Sequence, residues 1–116
     1  MNLGEYLVLA ARTPWKDGVH DCSAWPANWA GIPLPDDYAT HGRPLSDVWT
    51  EVIGDQLARV PSPEAGDIGV VRVVTPEGED EIGGIFTGEK WALLTAKGLA
   101  TVRLPASNVV AVWRHG

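Results

Sequence analysis

The feature that most constrains this chain is a change of hydrophobic period near Asp67. Up to about Val60 apolar residues recur at helical spacing, and after Asp67 they come in short β-branched runs. Leu3, Tyr6, Leu7, Ala10 and Ala11 predict an amphipathic helix over residues 2–12, ended at Thr13-Pro14 because a residue before proline is pushed out of the helical region. A second helix is expected from about Asp21 to Ala30. The stretch GIPLPDDYATHGRP, rich in proline and glycine, reads as loop. Ser46 is placed to cap a third helix, SDVWTEVIGDQLARV, which carries Val48, Trp49, Val52, Ile53 and Leu57 inward. PSPEAGD is a linker within the domain. Five strands then follow: IGVVRVV, IGGIFTG, KWALLT, LATVRLP and NVVAVWR, with TPEGEDE as the first turn. The breaks between them are too short for crossover helices, so the sheet is expected to be mostly antiparallel. Helices first and strands second give a single α+β domain over residues 1–116. Residues 1–60 form its helical part, packed on a curved sheet or partial barrel from residues 67–114.

Composition narrows the function. The formal net charge of −6 argues against a nucleic-acid partner, because a phosphate backbone rewards clustered Lys and Arg. No apolar run approaches the roughly 20 residues that span a bilayer, so no membrane anchor is expected. The N-terminus has no basic region followed by an apolar stretch, which predicts synthesis and folding in a cytoplasm. One cysteine excludes an internal disulfide and a multi-thiolate metal site within this chain, and no cofactor or metal is expected. Glu77, Glu79, Asp80 and Glu81 read as a solvated turn. Six tryptophans are many for this length; Trp25, Trp29 and Trp49 are assigned to the core.

The single cysteine lies in GVHDCSAW. If Asp21 is the N-cap, Cys22 is the first helical residue, at the positive end where a thiol's pKa falls. A cysteine hydrolase also needs a histidine base held by a third polar group. His20 is two residues away, His41 lies in the proline-rich loop, and His115 is next to the C-terminus; His20 is the candidate base. Pro26 has no N–H for the Cys22 carbonyl, so the helix either begins after Cys22 or has a distorted first turn.

In this order of elements the chain resembles the NlpC-type papain-like cysteine peptidases, which cut cell-wall stem peptides, and especially their short relatives in phage tail modules. The resemblance rests on Trp15, Gly18 and HDCSAW, then PEAGDIGVV with Pro63, Gly66 and Asp67, then IGGIFTG, then the closing VWR. It implies a papain-like fold with Cys22 at the position of the nucleophile. Aligned through Gly84, Ile85 and Gly88, it puts Ile82 where the family has its histidine and Leu93 near the group that orients it. Neither side chain takes up a proton. The resemblance therefore implies a degenerate, inactive relative: a tail-tip or tail-assembly structural protein, made in the host cytoplasm and carried in the virion. Its partners would be other tail proteins of the hub or tip, met through Ile32 and Tyr38 in the proline-rich loop. The alternative is an active peptidoglycan peptidase or amidase with Cys22 as nucleophile, aiding cell-wall penetration.

Overall fold

The computed structural model describes residues 2–16, 21–32, 44–54, 56–76, 78–95 and 97–115. Among these are three helices and six strands, an α+β arrangement. Helix α1, Leu3–Arg12, starts at Asn2, whose side chain accepts the Glu5 amide at 2.8 Å, and ends where Thr13 turns extended before Pro14. Leu3, Tyr6, Leu7 and Ala10 face the core. Tyr6 stacks on Trp25 and donates its hydroxyl to the Trp25 carbonyl at 2.7 Å; burial pushes its pKa up to about 12.

Helix α2, Ala24–Trp29, is only six residues long. It ends in a Schellman motif: Gly31 has φ 78°, its amide bonds the Asn28 carbonyl at 3.1 Å, and the Ile32 amide returns to Ala27 at 2.9 Å. That turn folds Ile32 inward until only 7% of it is exposed. The placement of Ile32 at a partner surface is thereby corrected: it is a core residue. Gly31 followed by an apolar residue was the signal for this cap. Tyr38, its companion in that expectation, lies outside the described residues, as do His20 and His41.

Helix α3 spans Leu45–Ile53. Ser46 sits inside its first turn and does not cap it; the Ser46 amide donates to Glu81 Oε1 at 2.8 Å, a carboxylate supplied from the sheet. The helix stops at Gly54, short of the expected Val60. Residues Ala58–Arg59 instead form an edge strand, β1, paired with the last strand. Strand formation there depends on partners far along the chain, Ala58 facing Arg114 and Arg59 facing Trp113, so local periodicity did not reveal it.

The remaining strands are β2 Ile68–Thr75, β3 Gly78–Phe86, β4 Trp91–Thr95, β5 Gly98–Val102 and β6 Val109–Arg114. They form one antiparallel sheet in the order β1-β6-β2-β3-β4-β5, with a bulge where Val70 faces Ala111 but Val71 faces Val109. Glu79, Asp80 and Glu81 belong to β3 rather than to the turn. Both faces of the sheet bury apolar side chains, which is why its strands read as continuous apolar runs rather than alternating ones. Ile68, Val70, Ile85, Leu94 and Trp113 point to the helices, and Val71, Trp91, Leu93 and Val112 point away, under Val60, Val102 and Leu104.

Two neighbouring glycines show how tightly both faces are filled. Gly84 pairs with Gly69, and a Cβ on either would meet the Trp91 ring on the far face. A Cβ on Gly83 would strike the Cys22 carbonyl and the edge of Trp49 on the helical face. The Gly-Gly pair thus admits one indole on each side of β3.

Candidate functional site at Cys22

Asp21 sets the geometry of the cysteine. Its Oδ1 accepts the amides of Ser23 at 3.0 Å and Ala24 at 2.7 Å, and its carbonyl accepts the Trp25 amide at 3.1 Å. Asp21 thus caps the segment as expected, but α2 begins at Ala24 and Cys22 lies in the turn before it. Cys22 is not the first helical residue. Pro26 is the cause: it is tolerated as the third residue of α2, where its missing N–H costs least. The Cys22 carbonyl it cannot serve is lodged against Gly83 of β3 instead.

The thiol is not activated there. Burial pushes its pKa up, the Ser23 hydroxyl 4.0 Å away pulls it down, the Asp21 charge pushes it up, and the Gly83 backbone pulls it down; the net shift is upward. The nucleophile in cysteine chemistry is the thiolate, so this environment favours the unreactive form. Asp21 beside the sulfur acts against ionisation.

No base is brought to it among the described residues. Ile82 and Leu93 pack together in the cluster on the far face of the sheet, whereas Cys22 meets β3 through Gly83 on the helical face. The one described histidine, His115, lies at the opposite end of α2, edge-on to Trp29 with centroids 6.0 Å apart. Sequence reasoning missed Gly83, since only the assembled fold shows that its lack of a side chain seats the Cys22 turn.

The other motif residues converge at that opposite end. Asp67, 3% exposed, accepts Arg114 Nε at 3.0 Å and Nη2 at 2.8 Å, and also the Glu64 amide at 2.8 Å. Its own backbone accepts the Phe86 amide at 2.9 Å and donates to the Glu64 carbonyl at 3.0 Å. Trp29 Nε1 donates to the neighbouring Gly66 carbonyl at 2.9 Å, and its half-buried ring packs against the core cluster. Arg114 also pairs with the exposed Glu64 at 2.8 Å. PEAGD and VWR, far apart in the chain, are the two halves of this bidentate ion pair. It joins the entry of β2 to the end of β6. No family model, no curated protein and no solved structure matches this chain.

Proposed function

We propose that this chain is a non-hydrolytic structural module, a tail-tip or tail-assembly protein of a phage built on a degenerate NlpC-type domain. The observation that carries the first half is the Cys22 turn: a half-buried thiol with a raised pKa beside a carboxylate that accepts two backbone amides, with its carbonyl lodged against Gly83. General-base assistance is worth on the order of 10²–10⁴ in rate, and an isoleucine at position 82 cannot supply it. The second half rests on the resemblance. Two of its motif residues, Asp67 and Arg114, engage one another, while Ile82 and Leu93, at the positions of base and orienter, are apolar. A fold retained for shape after its chemistry is lost accounts for both.

The test has two arms. Purified protein incubated with murein fragments should give no Cys22-dependent product by mass spectrometry; turnover abolished by Cys22→Ala would restore the peptidase reading. Purified particles and assembly intermediates of the parent phage should contain the chain beside other tail proteins. Its absence from both would end the tail assignment.

A further inference from the structure

We propose that the outer face of α1 is a self-association surface that takes a second copy of this chain, helix against helix, antiparallel about a two-fold axis. Leu3, Tyr6, Leu7 and Ala10 turn one side of the helix to the core. The opposite side presents Val8 and Leu9, 53% and 50% exposed, in a groove of about 560 Å³ lined by Asn2, Gly4, Glu5, Val8, Leu9 and Arg12. These are two of the three large apolar side chains found exposed among the described residues, and they are adjacent.

The charges choose the partner. Glu5 and Arg12 lie seven positions apart, nearly in line along the helix, with a rise of about 10 Å between them. They are too far apart to pair with each other, and neither makes an ion pair among the described residues. Their midpoint falls between Val8 and Leu9. A two-fold axis at that midpoint sets each Glu5 opposite the second copy's Arg12. It also brings Val8 to Val8 and Leu9 to Leu9 on either side of the axis, and Gly4 leaves room for close approach. This is the self-complementarity an isologous contact needs: one patch, acidic at one end, basic at the other, apolar between. A parallel arrangement would set like charges together. The face is one short helix, so the dimer is weak, with a dissociation constant on the order of 10⁻⁵–10⁻³ M.

Sedimentation velocity of the full chain, from roughly 10 µM to 1 mM to cover that range, should show a concentration-dependent monomer–dimer equilibrium. Glu5→Arg and Arg12→Glu should each weaken it by about tenfold, since each puts two like-charge pairs in the contact. The double reversal E5R/R12E should bring it back to within about threefold of the native chain, because the pattern is again complementary. Leu9→Asp should abolish it. These positions are exposed, so thermal melts should stay near the native value. If a reversal lowers the melt, salt gives a second reading on the native chain: added NaCl should weaken the dimer. A chain that stays monomeric at the highest concentration overturns the proposal. So does association that ignores both salt and the single reversals, or a double reversal that folds but does not recover.

Discussion

The two ends of α2 use polar groups in opposite ways. At its C-terminal end Trp29, Gly66, Asp67 and Arg114 form a connected set of hydrogen bonds between helix, linker and two strands. At its N-terminal end Asp21 accepts two amides of the turn, and Cys22 has a raised pKa and apolar side chains across β3. The first end ties strands together, and at the second no base lies beside the thiol among the described residues. Polar groups at the two ends of one short helix thus do different work: Asp67 and Arg114 join β2 to β6, and Asp21 orders the turn that holds Cys22.

The largest effect is expected at Trp49, the buried indole that backs the N-terminal end. Trp49 is 0% exposed, leans on Trp113 with centroids 5.8 Å apart, and sets its ring edge against Gly83. Trp49→Ala should cost about 3–5 kcal/mol in urea unfolding, a large part of the stability of any domain this size. Trp49→Phe should be far milder, since the indole N–H has no acceptor among the described residues and its loss leaves nothing unpaired. A Phe variant as damaged as the Ala variant would mean that the N–H has a partner.

The C-terminal end should break next. Asp67→Ala removes the acceptor of the part-buried Glu64 amide and the bidentate partner of Arg114, and should cost about 2–3 kcal/mol. Asp67→Asn keeps the volume and one acceptor and should cost less. Arg114 retains its pair with Glu64, but that contact is exposed and adds little. An Asp67→Ala protein that unfolds at the native urea midpoint would show that the anchor is incidental to stability.

How much of this was legible in the sequence depends on how local each cause is. The switch at Asp67, the start of α1 at Asn2 and the antiparallel pairing follow from periodicity and from breaks too short for helices, and the structure has them. The strand β1 was not legible, because Ala58 and Arg59 become a strand only by lying beside β6. Nor was the second buried face: WALLT is apolar at every position before its threonine, which signals burial on both sides, yet what covers the far face comes from scattered residues such as Val60 and Leu104. Ile32 was legible and missed, since Gly31 marks a helix end that returns the next apolar residue inward. At the candidate site, Asp21 as cap and Pro26 as the obstacle to a helical Cys22 were visible. The seat on Gly83 was not, because it needs a register that only the folded sheet provides.

The smallest expected effect is at Cys22 itself, and it sharpens the contrast most. The thiol is small and only half-buried, so Cys22→Ala should change stability by less than about 1 kcal/mol. Its pH behaviour carries the information. The folded state holds the thiol protonated beyond its ordinary value of 9.0. Below that value folded and unfolded chains both bind the proton, and stability does not depend on this group. As pH rises past it the unfolded chain releases its proton first, so native stability falls until the folded thiol ionises too. Cys22→Ala should flatten that decline. Alkylation by iodoacetamide follows the thiolate fraction, so the native protein should label more slowly near neutral pH than the same protein in urea, with its inflection displaced to higher pH. Native labelling that outpaces the unfolded chain at neutral pH would mean the sulfur is an activated nucleophile, and the N-terminal end of α2 would then have to be read as a working site.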